Sequence, residues 1–243
     1  MPALILAFET ATDVCSVALL QNGHVLARMD ADRPRAHAES LAPMAQDVFR
    51  IAGRAIQELS AVAVSRGPGS YTGLRIGSST AKGLAFSTGA RLVGVPSLPA
   101  LALAARAALG HDLRAVVVRK ARKDELYAAV CDAGDRVRTV EQARLVTTPE
   151  AAEAALRALT STDLPVVLCG NGRMALLDSF GDSADRGRVV LSGVEPDAES
   201  VGRLGSRLLD EGRTDDIDTF EPYYLKEYVA ERPRSDIFSR LPF

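Results

Sequence analysis

Arg66-Gly67-Pro68-Gly69-Ser70-Tyr71-Thr72-Gly73-Leu74-Arg75-Ile76-Gly77 is the stretch on which the fold turns. Four glycines and one proline in twelve residues exceed what an ordinary strand-to-helix turn requires. The stretch follows an apolar run, Ala61-Val62-Ala63-Val64, that reads as a short buried strand, and it opens a helix running toward Ser87. Gly67 and Gly69 permit positive φ and close backbone approach, and Pro68 fixes one torsion between them. Ser70 or Thr72 is placed to cap the helix. Gly73, Gly77, Ala81 and Ala85 then recur at every fourth position. That spacing puts them on one helix face, where a neighbouring helix or sheet can come very close.

A helix N-terminus behind glycines attracts anions, so a phosphate loop is one reading. The named versions do not fit. A Walker loop needs a Gly-Lys pair, which the sequence lacks. Gly67, Gly69 and Gly73 miss the dinucleotide spacing by one residue. A tight turn feeding a closely packed helix is the plainer alternative.

On the N-terminal side, Leu4 to Phe8 is a continuous apolar run and Val14 to Leu20 a second strand. Asn22-Gly23 is a strong hairpin signal that returns the chain as a strand from His24 to Met29. Helical spacing of Leu41, Met44, Ala45, Val48, Phe49 and Ala52 predicts a helix from about Ser40, capped there and stopped by Gly53. On the C-terminal side, Arg91 to Val95 is a strand and an alanine-rich helix runs from Pro96 to Gly110.

The second half repeats this order. Strands are predicted at Ala115–Val118, Glu125–Cys131 and Val137–Val140, then a helix with Thr148 as cap and Pro149 in its first turn. A strand at Pro165–Cys169, a short helix to Phe180, a strand at Val189–Leu191 and a helix capped by Asp197 follow. The tail from Phe220 to Phe243 reads as irregular. A duplicated α/β unit of this order predicts two ribonuclease-H-like lobes of the actin, hsp70 and sugar-kinase group, with mixed sheets flanked by helices. The expected division is 1–110 and 111–243. A doubly wound sheet is the competing topology, and the early hairpins count against it.

The 243 residues are 47% hydrophobic and 25% charged, an ordinary composition for a globular protein. A net charge of −2 predicts neither nucleic-acid nor membrane binding. No apolar run has the length of a membrane span, and Met1-Pro2-Ala3-Leu4 lacks the basic region of a secretion signal, so a cytoplasmic protein is expected. Cys15, Cys131 and Cys169 are odd in number and far apart, and read as buried free thiols.

Candidate chemistry is sparse. Glu9-Thr10-Ala11-Thr12 offers a carboxylate and hydroxyls of the kind that meet phosphate and Mg²⁺; a capped hairpin turn is the alternative. His37 and Glu39 make at most half of a metal site, and no His-x3-His pair exists. Gly-x-Ser-x-Gly is absent. The run Arg119-Lys120-Ala121-Arg122-Lys123 is the densest positive cluster, suited to RNA phosphate or to a charged turn between strands.

The 66–77 motif resembles the central motif of the TsaB (YeaZ) family, proteins of tRNA threonylcarbamoyladenosine synthesis. The likeness covers most of the chain. Leu6 to Thr12 and Cys15 to Leu19 resemble its opening strands, and His37, Leu41 and Pro43-Met44 its first helix. Ala121 to Tyr127 resembles its Ala-Arg-x-x-Glu-x-Tyr segment, and Pro222-Tyr223-Tyr224-Leu225 its closing motif. Glu9 replaces the usual aspartate, and Lys120 stands where an aspartate is expected.

The resemblance implies a non-catalytic partner subunit for threonylcarbamoyl transfer to N6 of adenosine 37 in tRNAs reading codons that begin with A. It implies a heterodimer with the related transferase TsaD, TsaE reached through that complex, tRNA met indirectly, and a homodimer when TsaD is absent. ATP or ADP is expected in the complex, with Glu9, Thr10, Thr12, Gly67 and Gly69 as candidate contacts. TsaD carries a His-x3-His metal pair on the helix after the strand matching 91–95. Ser97 and Leu101 stand near those places here, and neither replaces an imidazole, so no metal and no catalytic residue are expected. Met44, Val48, Phe49, Gly73, Gly77 and Ala81 are the expected partner interface, with core packing as the alternative. A free-standing actin-like phosphotransferase, a glycoprotease-type metallopeptidase and a direct RNA-binding module are the competing functions.

Overall fold

The computed structural model describes residues 2–32, 37–121, 125–178 and 189–225. The first half runs β1 (Leu4–Glu9), β2 (Val14–Gln21), β3 (His24–Asp32), α1 (His37–Ala52), β4 (Ala61–Gly67), α2 (Tyr71–Thr88), β5 (Arg91–Pro96) and α3 (Ser97–Leu109). The second half runs β6 (Leu113–Lys120), β7 (Glu125–Ala133), β8 (Val137–Thr147), α4 (Thr148–Thr160), β9 (Val166–Cys169), α5 (Arg173–Asp178), β10 (Val189–Ser192) and α6 (Ala198–Asp210).

The two sheets have the same plan. Their orders are β3-β2-β1-β4-β5 and β8-β7-β6-β9-β10. In each, the first three strands form an antiparallel meander, and the last two lie parallel to the first. This is the ribonuclease-H-like arrangement, present twice. The antiparallel strands exclude a purely parallel doubly wound sheet.

Local chemistry explains most elements. Asn22 and Gly23 both take positive φ, as a two-residue hairpin turn requires. β1 reads as a continuous apolar run because both of its faces are covered. Leu6 and Phe8 enter the core under α1 and α2, while Ile5 and Ala7 enter the core under α6. Three boundaries differ from expectation. α1 starts at His37 rather than Ser40, which moves Pro43 out of the first turn. Pro43 and Glu39 are both exposed, so water can satisfy the carbonyl that the proline leaves without a donor. β8 continues to Thr147, well past Val140. The cap of α4 is Thr147 rather than Thr148, because Glu150 reaches back to accept from the Thr147 N–H at 2.7 Å and its hydroxyl at 2.9 Å.

The lobes exchange helices. The strands of the two sheets fall on either side of Gly110, but the last helix of each half packs on the other half's sheet. Leu98, Leu101 and Ala105 of α3 join Val117, Cys131 and Val167 of the second sheet. Val201, Leu204 and Leu208 of α6 join Ile5, Leu20 and Val95 of the first. A Cβ on Gly202 would stand 2.2 Å from Leu20, and one on Gly205 2.6 Å from Ala63, so glycine lets α6 sit directly on that sheet. A cut of the chain at 110/111 therefore leaves each sheet without one of its covering helices.

Past α6 the chain straps the open edge of β5. The Asp215 N–H donates to the Leu92 carbonyl at 2.8 Å, and its carboxylate accepts from the Gly94 N–H at 2.7 Å. Phe220 is buried in the notch that Gly94 leaves. Lys82 of α2 donates to the carbonyls of Asp218 and Phe220. The tail beyond residue 225 lies outside the described residues.

Candidate functional site

The glycine motif grips the turn that follows β1. A Cβ on Gly69 would stand 2.5 Å from the Ala11 side chain. One on Gly73 would stand 2.0 Å from the Thr10 carbonyl, and one on Gly77 2.2 Å from the Thr10 hydroxyl. The Ser70 N–H donates to the Ala11 carbonyl at 2.9 Å, and the Ser70 hydroxyl caps α2 by accepting from Gly73. Gly67 has φ +110, its N–H donates to Ser97 Oγ at 3.1 Å, and its open side faces the Tyr223 carbonyl. The bare sides of Gly67, Gly69, Gly73 and Gly77 thus meet this chain's own backbone and side chains. The small face of α2 is a packing surface, as the plainer sequence reading has it.

The turn itself is buried. Glu9 is wholly enclosed. Burial pushes its carboxyl up to about 7, against the pull of Arg119 and the hydrogen bond from Ala11. That bond runs from the Ala11 N–H to Glu9 Oε1 at 2.6 Å. Thr10 donates its N–H to Ser65 Oγ at 3.3 Å. Among the described residues, Glu9 Oε2 and Thr10 Oγ1 are buried without a hydrogen-bond partner. Thr12 is used locally: its hydroxyl exchanges hydrogen bonds with the backbone of Val14 at 3.1 Å. Of the candidate nucleotide contacts, Glu9 and Thr10 keep unused polar atoms; Thr12 and Gly67 are committed to the fold.

Met44, Val48 and Phe49 of α1, with Gly73, Gly77 and Ala81 of α2, are buried. They face the first sheet and the β1 turn, so the surface of these helices is made by other residues. Ile51 is 56% exposed and Phe86 79%. His37 is buried and Glu39 exposed, so the two do not converge. The three cysteines are buried and free.

Two features were not legible. Arg119 belongs to the basic run by sequence, yet it is only 7% exposed. It shares a strand face with Ala115 and Val117, but both faces of β6 are buried, so alternation alone does not separate it from exposed Lys120. The closing motif meets the glycine motif: the Tyr223 N–H donates to the Arg66 carbonyl at 2.6 Å, and the Tyr71 and Tyr224 rings lie 4.9 Å apart.

With this geometry in place, the relatives are informative. The chain is 33% identical over 229 residues to the tRNA threonylcarbamoyladenosine biosynthesis protein TsaB of Escherichia coli (strain K12), covering 93% of this chain and 96% of that one. The chain belongs to the TsaB family. Residues 30–175 match the family model described as TsaD: tRNA N6-adenosine threonylcarbamoyltransferase. The transferase of Solidesulfovibrio magneticus is 36% identical over 125 residues, 45% of this chain and 33% of that one. The solved structure of YeaZ from Pseudomonas aeruginosa superposes with a TM-score of 0.79 at 27% identity, over 92% of this chain and all of that one. In this TsaB-family chain, the places that the resemblance pairs with the transferase histidines are taken up by the fold. Ser97 Oγ accepts from Gly67, and Leu101 is fully buried under the second sheet.

Proposed function

We propose that this chain is a non-catalytic partner subunit for threonylcarbamoyl transfer to N6 of adenosine 37 in tRNAs reading codons that begin with A. It acts by binding TsaD, with TsaE joining through that complex and ATP or ADP bound in the complex. The observation that carries this reading is the commitment of Ser97 and Leu101 to packing in a chain otherwise related to the transferase. A hydroxyl and an isobutyl group offer no replacement for two imidazole ligands. The names of the full-length relatives support the pathway.

The contact surface on this reading is the outward side of α1 and α2, where Ile51 and Phe86 are exposed. The inward residues of the same helices hold the fold and reach a partner only through it. Size-exclusion chromatography with purified TsaD tests the assignment. Ile51→Glu and Phe86→Glu together should abolish co-elution while leaving circular dichroism and Tm unchanged. Co-elution undiminished in the double variant would contradict it.

A further inference from the structure

Glu9 and Arg119 occupy matching positions in the two lobes. Glu9 is the last residue of β1 and Arg119 the last but one of β6, the central strands of their sheets. Each continues the strand row that faces the exchanged helices: Ile5, Ala7 and Glu9 in one lobe, Ala115, Val117 and Arg119 in the other. Both side chains are buried. Among the described residues, Glu9 Oε2 and Arg119 Nε and Nη1 have no hydrogen-bond partner and are closed to solvent. The other buried arginine of β6 is a useful contrast. Arg114 donates to both oxygens of Asp132, at 2.6 and 3.1 Å, and to Ser161 Oγ at 2.7 Å.

An unpaired buried charge is among the most costly features a fold can carry. The Nε and Nη1 groups of Arg119 are donors without an acceptor, and a carboxylate oxygen is the acceptor that a guanidinium N–H binds most strongly. The nearby carboxylate with an open oxygen belongs to the other lobe, so the distance between them depends on how the lobes sit. On these grounds we propose that Glu9 and Arg119 are two halves of a buried latch across the lobe junction, in which ionised Glu9 draws Arg119 into a direct pair and tightens the lobes.

The latch changes state in an accessible range, because burial holds the Glu9 carboxyl at about 7. Among the described residues, the groups facing Glu9 are Arg119 from β6, Asp197 from the turn before α6, Cys15 from β2 and the hydroxyl of Ser65 from β4. Asp197 is held by Arg28 at 2.8 Å. The Cys15 thiol is pushed up to about 11, mainly by burial, and stays neutral through this range. Arg119 is therefore the cationic partner available to Glu9. The inference concerns the lobe junction alone and stands or falls separately from TsaD binding.

Spin labels on Gln57→Cys in the first lobe and Glu153→Cys in the second report the opening; both sites are exposed and the native cysteines are buried. The expected result is a mean label distance that shifts between pH 6 and pH 8 in the otherwise unaltered chain. The shift should be lost in both Glu9→Gln and Arg119→Met. A double-mutant cycle in chemical denaturation should show that the Glu9→Gln/Arg119→Met variant unfolds at higher denaturant than additivity of the single variants predicts. A distance that does not change with pH in the unaltered chain overturns the latch without any appeal to a variant. So does a shift that persists in Glu9→Gln, or strict additivity in the cycle.

Discussion

The Tyr223 N–H donates to the Arg66 carbonyl at 2.6 Å, which ties the closing motif of the chain to the first residue of its glycine motif. The tie does not act alone. The Arg66 guanidinium pairs with Asp215 at 3.2 Å and lies 5.4 Å from the centre of the Phe220 ring. The segment after α6 thus anchors the glycine turn and covers the edge of β5. Phe220→Ala should cost about 3–5 kcal/mol, the usual range for removing a buried phenyl group. Urea denaturation measures it, and a cost below about 1 kcal/mol, far under that range, would mean that the strap is not seated in solution.

Two glycines of α2 make opposite predictions for the same substitution. A Cβ on Gly73 would stand 2.0 Å from the Thr10 carbonyl, a backbone atom that no side-chain rotation can move. Gly73→Ala should therefore be strongly destabilising, by at least the ~1–3 kcal/mol of core overpacking. At Gly83 a methyl group would enter open space, with nothing within 4 Å of it. Gly83→Ala should stabilise by about 0.5–1 kcal/mol through helix propensity. Denaturation midpoints of the two variants decide it, and equal effects would contradict the tight contact between α2 and the β1 turn.

Burial governs the thiols. It pushes Cys15 up to about 11, Cys131 up to about 12 and Cys169 higher still. The thiolate is the reactive form, so raising the pKa and closing access both suppress reaction. At pH 8 the native chain should react with a maleimide far more slowly than free cysteine, and all three thiols should react once it is unfolded in guanidinium. Rapid labelling of any of them in the native state would contradict the packing of β2, β7 or β9.

The lobes were legible because their elements carry local signals. Leu4 to Phe8 is apolar throughout since both faces of β1 are covered, and Asn22-Gly23 supplies the φ values its turn needs. The glycines of 66–77 signalled close approach, and the structure shows Thr10 and Ala11 as what approaches. The exchange of α3 and α6 was not legible. The pattern Val201, Leu204, Leu208 says that one stripe of a helix is buried, not which sheet buries it. The strap was hidden for a related reason: its order comes from Asp215, Phe220 and Tyr223 meeting distant residues, not from periodicity. Arg119 was hidden by its neighbours, since a charge beside Lys120 reads as part of a solvated turn and β6 is apolar on both faces.

The central claim is that this chain supports the transfer reaction without performing it. The direct measurement is tRNA modification by purified TsaD, TsaE and the enzyme that makes threonylcarbamoyl-AMP, supplied with tRNA, ATP, threonine and bicarbonate. The account predicts threonylcarbamoyladenosine only when this chain is added, and no turnover of any of these substrates by this chain alone. Modification that proceeds equally well without it, or a reaction that it carries out unaided, would contradict the account.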